Sequence, residues 1–474
     1  MTRLERISRR AFAPVDIAGL AVFRVLFGAV MLVDFVRYWI AGWIDSHFIT
    51  PAFLFTYFGF EWVQPLPRPG MYAVFAVLML ASVAVSLGLT YRLAIGLLFI
   101  GHTYIYLLSA THYLNHAYLL SVVILLMACI PAGRGLSIDG WRGRRGRAWA
   151  PAWSQWLLRV QLGIVYVFGG IAKINPDWAA GEPVRGWLRS RANTTPELVS
   201  ELLRSEAVTG LVVYGGLWFD LLIAPALWWR RTRWLAVLVS VGFHLSNAYL
   251  FSIGVFPWFM LAATTLFLEP DWPRRIPWLG RWIDRALGPV PKTSPTEADG
   301  AGVAPSDGST AASESPRHPR WILGLLAGWL LLQVVLPLRH HLYPGNVAWT
   351  EEGHYYAWRM KLRTKSGAAR FVVTDPVNGD SWVVDPRDEL TKRQTRKMIG
   401  KPQLLAQYAR HLAGRWREEH GVEVEVRVQV QVSLNRRPRQ QLVDPTVDLA
   451  AYEPSLWPAP WIMPGPTSPV PITR

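Results

Sequence analysis

Trp156-Leu-Leu-Arg-Val-Gln-Leu-Gly-Ile-Val-Tyr-Val-Phe-Gly-Gly-Ile-Ala-Lys173-Ile-Asn-Pro-Asp-Trp178 is apolar for most of its length and closes on one lysine. Read as a helix, it crosses most of a bilayer core of about 30 Å. A charged amine is costly at that depth, so an intramembrane ionisable residue is a candidate functional group. A water-poor site favours a free amine over an ammonium, and a free amine is a base. The alternative is a lysine that snorkels from a helix end to the interface.

The rest of the chain repeats the pattern. It has 474 residues, of which 51% are hydrophobic and 25 are Trp. Nine apolar segments are legible, at 16–40, 71–90, 93–110, 112–131, 153–175, 208–229, 233–248, 250–268 and 321–338. The expected fold is therefore an α-helical polytopic membrane bundle of about eight to nine transmembrane helices. Arg3, Arg6, Arg9 and Arg10 before the first segment resemble the start of a signal peptide. The apolar run is too long for one and no small-residue cleavage site follows, so the segment is expected to be retained.

Basic residues set the expected orientation. With the N-terminus cytoplasmic, inner loops hold Arg92, then Arg134, Arg142, Arg144, Arg145 and Arg147, then Arg230, Arg231 and Arg233, then Arg274, Arg275, Arg281 and Arg285. The outer connections at 41–70, 111 and 249 hold only Arg68, and the 176–207 loop has four arginines offset by acids. This is the positive-inside pattern. The net charge of +16 is spread over loops rather than gathered on one folded face, which argues against nucleic acid as a partner. The one cysteine, Cys129, rules out an intrachain disulfide. CxxC, HExxH and P-loop motifs are missing, and no metal site is expected.

Four parts follow: a bundle over 1–288, a disordered Pro/Ser-rich linker over 289–319, a last transmembrane helix over 320–342, and an extracytoplasmic α+β domain over 343–474. In that domain Ala357–Leu362 and Ala369–Thr374 read as strands around a turn at 376–379. Thr391–Trp416 has helical periodicity, and Val422–Val432 alternates strictly, the period of a half-buried strand.

Polar residues gather at one level. Asn115 and His116 open the fourth segment, Lys173 closes the fifth, His244 and Asn247 close the seventh, and His340 and His341 follow the ninth. All fall at the expected outer face, where the soluble domain begins. A histidine at a helix end usually caps carbonyls or sits at the interface. Several at the depth of a lysine point to a water-poor pocket between helix ends.

Phe243-His-Leu-Ser-Asn-Ala-Tyr-Leu-Phe-Ser-Ile-Gly-Val-Phe256 resembles a stretch of the vitamin K-dependent gamma-carboxylase family, whose HTTM-type transmembrane domain is shared more widely. Further matches are Leu20-Ala-Val-Phe-Arg-Val-Leu-Phe-Gly28 with Asp34, Gln64-Pro-Leu-Pro67, Gly88-Leu-Thr-Tyr-Arg92, Asn115-His116, Ile164–Gly170 into Lys173, Asp177-Trp178, Trp349-Thr350, Tyr356, Trp358 and Asp444–Asp448. The resemblance runs collinearly over about 13–460. It implies a bacterial-type homologue, a multi-pass protein of a bacterial cell membrane. The implied reaction oxidises reduced vitamin K, a naphthohydroquinone, with O2 to its epoxide. The base so made removes a γ-proton from glutamate, and CO2 adds. The resemblance makes Lys173 the base that deprotonates the quinol. His244, Asn247, Asn115, His116 and His340 are the expected quinol contacts. A Glu-containing exported peptide or protein is the implied partner, beside the lipid bilayer and the lipid-soluble quinol.

The chain departs from the animal enzyme in places. Ala172-Lys173 stands where that enzyme has two lysines, and Gly133-Arg134 where it has an Asn-His pair. The animal enzyme's disulfide cannot form, and that chain runs on beyond the point matching this C-terminus. The quinol base is kept, while the peptide-handling parts differ. Two alternatives stay open: quinol epoxidation without protein carboxylation, and a non-catalytic module that binds lipid or a partner.

Overall fold

A computed structural model describes residues 2–142, 148–251, 253–288 and 319–471. Apart from Pro319, the expected linker lies outside the described residues, as do Arg144, Arg145 and Arg147. The chain is mostly helical, with a small sheet in its C-terminal part.

Among the described residues, five helices are long and apolar enough to cross a membrane: Ala18–Ile40, Arg68–Leu87, Ala152–Lys173, Glu206–Trp228 and Trp321–Leu342. The other apolar segments form helices of 9 to 18 residues at Tyr91–Leu107, Asn115–Cys129, Arg233–Leu250 and Phe256–Thr264. A further amphipathic helix, Arg3–Phe12, precedes them. It starts on a capping box in which Thr2 and Glu5 satisfy each other's backbone amides. Two short strands, β1 (Pro14–Asp16) and β2 (Trp149–Pro151), pair antiparallel and tie the entries of two long helices together. The bundle core is built from Phe23, Phe27, Met31, Phe75, Leu78, Leu98, Phe259 and their neighbours. The last helix docks through polar side chains. Gln161 donates to Gln333 at 3.1 Å and accepts from the Trp329 indole at 3.0 Å, so the buried amides are paired.

The C-terminal part is a four-stranded antiparallel sheet in the order β4-β3-β5-β6, with β3 Lys365–Thr374, β4 Ser381–Val384, β5 Glu425–Leu434 and β6 Gln440–Gln441. Val426, Val428, Val430 and Val432 are fully buried on one face of β5, as the alternation requires. They pack with Leu405, Tyr408 and Leu412 of the covering helix.

Three local expectations are corrected. Residues 357–362 are a loop rather than a strand, with Ala357, Trp358 and Leu362 buried. Trp358 of that loop sits in the bundle core, and Tyr356, Trp358 and Lys361 have positive φ, which no strand ladder tolerates. The helix over 391–416 is two helices, Lys392–Ile399 and Pro402–His420. Pro402 lacks the amide that continuation would need and starts the second helix instead. The β5 strand begins at Glu425 rather than Val422.

Candidate active site

Lys173 ends the Ala152–Lys173 helix, and the turn after it fixes where its amine points. Asn175 accepts from the Trp178 amide at 3.0 Å and donates to the Ala172 carbonyl at 2.9 Å. Pro176 then starts a short turn, and Trp178 folds back to lie 5.3 Å from the Lys173 ammonium position. The Trp178 indole is itself held by the Val213 carbonyl at 2.9 Å. Lys173 is 8% exposed, so it does not snorkel. Its Nζ donates to the Gly169 carbonyl at 3.3 Å and to the Asp220 carboxylate in a short hydrogen bond.

Asp220 belongs to the middle of the Glu206–Trp228 helix and is 6% exposed. The pair forms because Gly169 and Gly170 let that helix approach. A Cβ at Gly170 would stand 2.7 Å from the Leu221 side chain, and one at Gly169 only 3.1 Å from Asp220 itself. A buried ion pair repays its desolvation only when its hydrogen bonds are complete, so it is weak evidence for a purely stabilising role.

One and two turns before Lys173, on the same helix face, lie Gly169 and Tyr166. The Tyr166 hydroxyl and His244 Nε2 are 2.9 Å apart. His244 is 1% exposed, and its Nδ1 has no partner among the described residues. Phe219 and Phe256 stand edge-on to its ring. Phe256 also stacks on His116 at 5.5 Å. Contacts thus run from His116 through Phe256 to His244 and on to Tyr166, which lies two turns before Lys173 on its helix. Asn247 lies half-buried one turn beyond His244, with no side-chain hydrogen bond among the described residues.

Asn115 and His340 go elsewhere. Both hold the loop over 351–363. Asn115 donates to the Arg359 carbonyl at 3.2 Å and accepts from Tyr113 at 2.9 Å, and the Tyr113 oxygen accepts from the Tyr356 amide at 2.6 Å. His340 Nε2 lies 3.5 Å from the Arg359 guanidinium. Gly353 must pass so close to His340 that a Cβ there would meet the His340 Cα at 2.6 Å. From the other side the loop is fixed by Glu351, which is bidentate to Arg363 and 2.9 Å from the Lys365 amine. Burial would raise the Glu351 carboxyl, but Arg363 and Lys365 outweigh it and hold it far below the usual carboxylate range. Burial also pushes the Lys365 amine down to about 8 against the pull of Glu351, and the Lys401 amine down to about 8. The loop carries Trp358 into the bundle core and Met360 to the side of Gly169, so it roofs the lysine.

Beside that roof, a cavity of about 320 Å³ separates bundle and sheet domain, lined by Asn175, Pro176, Asp177, Asn346, Arg359, Asn435 and Arg437, among others. Its rim is pinned where Arg437 forks onto Asp177 at 2.6 and 2.7 Å and Asn435 adds a bond at 2.7 Å.

Residues 12–272 match the family model described as HTTM domain. Residues 318–468 match that of the vitamin K-dependent gamma-carboxylase, lumenal domain. The chain belongs to the vitamin K-dependent gamma-carboxylase family. No solved structure matches it. In this carboxylase-family chain the join between the two matched regions is where Lys173, the roofing loop and the cavity meet. Asp220, Tyr166 and Arg359 were not singled out by the sequence reading. A signal for Asp220 existed: it is the one acid in the apolar run 208–229, and an intramembrane acid invites the same question as Lys173. Tyr166 and Arg359 carry no such mark.

Proposed function

We propose that this protein is an integral membrane enzyme of the vitamin K-dependent gamma-glutamyl carboxylase type. It oxidises a reduced naphthoquinone with O2 to the epoxide and couples this to γ-proton removal and CO2 addition at a glutamate side chain. The observation that carries this reading is the buried Lys173–Asp220 pair at the mouth of the bundle, under the roofing loop. Moving one proton along their hydrogen bond turns ammonium and carboxylate into amine and carboxylic acid with no change in net charge. The amine so exposed accepts a proton at Nζ from a quinol hydroxyl. His244 Nδ1, which has no partner among the described residues, is suited to hold an oxygen of the ring, while the Tyr166 hydroxyl holds the other ring nitrogen. Phe219, Phe256 and the apolar helix faces supply walls for the ring and an isoprenoid tail. Reduced vitamin K would supply the reducing electrons when bound.

The same proposal places nine spans in a bacterial cell membrane, with the N-terminus cytoplasmic and the 343–474 domain extracytoplasmic. A Glu-containing peptide would reach the cavity beneath that domain. The β4 edge, with Trp382 and Val383 exposed, offers strand pairing to an extended chain.

The test is purified full-length protein in nanodiscs with a reduced naphthoquinone, O2, labelled bicarbonate and a Glu-rich peptide. Epoxide together with labelled γ-carboxyglutamate is expected. Epoxide without label would establish a quinol epoxidase instead. Neither product, from folded protein, would leave a non-catalytic module.

A further inference from the structure

The helix Pro277–Leu287 plays no part in the site above. Pro277 opens it, and Gly280, Ile283 and Leu287 form its inward face. Gly280 lies so close to the Arg274 carbonyl that no larger residue fits there. Arg274 is the anchor. Its guanidinium binds Asp16 at 2.7 Å, the Gly288 carbonyl at 3.0 Å, and Asp284. Asp16 stands two residues before the Ala18–Ile40 helix, and Gly19 donates to the Pro270 carbonyl at 2.9 Å. The helix is therefore fixed at the level where the first spanning helix enters the membrane.

Its opposite face is unusual. Trp278 and Trp282, one turn apart, are 69% and 56% exposed. Arg281 and Arg285, also one turn apart, flank them and make no ion pair among the described residues. The helix's one acid, Asp284, is taken by Arg274. Trp278, Leu279, Arg281, Trp282 and Arg285 line an open groove of about 660 Å³. Indoles favour the headgroup level of a bilayer, and unpaired arginines there attract anionic headgroups.

We propose that this helix lies in the membrane interface and binds the phosphate headgroup of an anionic phospholipid. Arg281 and Arg285 hold the phosphate, and Trp278 and Trp282 rest on the acyl boundary. The bound lipid completes the base of the bundle beside the first spanning helix.

Two measurements on the full chain test it, both in nanodiscs of phosphatidylcholine with phosphatidylglycerol. In the first, Cys129→Ser frees the background of its exposed thiol, and Ala286→Cys, exposed on the same helix, carries a nitroxide. Collisions with O2 should exceed those with a nickel chelate. The reverse would put the face in water, as for docking of a soluble protein, and overturn the proposal. In the second, retention of phosphatidylglycerol over phosphatidylcholine is compared between wild type and Arg281→Gln/Arg285→Gln. A loss of about thirtyfold in preference is expected from removing two interfacial arginines at about 1 kcal/mol each. An unchanged preference would overturn the headgroup assignment even if the helix proves embedded.

Discussion

Lys173 without Asp220 would be a helix-end lysine, and Asp220 without Lys173 a carboxylate stranded in a bundle. Lys173→Ala should therefore do two things. It should abolish epoxide formation, and it should cost about 3–5 kcal/mol of stability, the usual result of stranding one partner of a buried pair. The double variant Lys173→Met/Asp220→Leu should recover most of the lost thermal stability while staying inactive. Full recovery of activity with stability would refute the base assignment. His244 permits a cleaner separation. Tyr166→Phe removes one hydrogen bond worth about 1 kcal/mol. His244→Ala should lower turnover well beyond any such loss of thermal stability. A parallel fall in both would reduce the pair to a structural tie. At this scale the sequence was legible only in part. Lys173 and His244 announce themselves as polar residues in apolar runs, whereas Tyr166 acquires its role from the partner that helix packing gives it.

The loop over 351–363 was the element least open to sequence reading. Its apolar and aromatic residues suit a strand, but they are there to fill the bundle, and four non-glycine residues, Glu351, Tyr356, Trp358 and Lys361, hold positive φ. Such backbone costs of order 1–3 kcal/mol per residue and persists only where surrounding contacts impose it. Trp358→Ala should lower stability by about 3–5 kcal/mol, read as a lower melting temperature. Glu351 adds a pH dependence. Its carboxyl titrates lower in the folded protein than in the unfolded chain. Its stabilisation is therefore complete above the ordinary carboxylate value of about 4.3 and fades as pH falls below it. Below about pH 5 the melting temperature should fall further as this carboxylate is protonated, and Glu351→Gln should flatten that acid-side slope. By contrast β5 was legible from its alternation, because a strand buried on one face must show period two. The break at Pro402 is a local rule that helical periodicity over 391–416 concealed.

For the whole molecule, the topology is open to reporters. Fusions after Gly140 should read cytoplasmic, and fusions after Pro183 or at the C-terminus should read external. A cytoplasmic C-terminus would part the sheet domain from the Lys173 face and contradict the contacts between them. The apolar segments told where helices lie, since burying or lipid-exposing a long apolar run leaves few other solutions. They could not tell that bundle and sheet domain share packing, because contacts distant in sequence leave no periodicity.

That shared packing bears on how the protein is made. Trp358 leaves the ribosome after every membrane helix has been synthesised, yet it fills a place in the bundle core beside Tyr118. Helix insertion alone cannot finish the bundle. A chain stalled or clipped before residue 358 would hold all its membrane helices and still present an unfilled cleft at the mouth of its core, the kind of defect by which a cell's quality control distinguishes an unfinished membrane protein from a finished one.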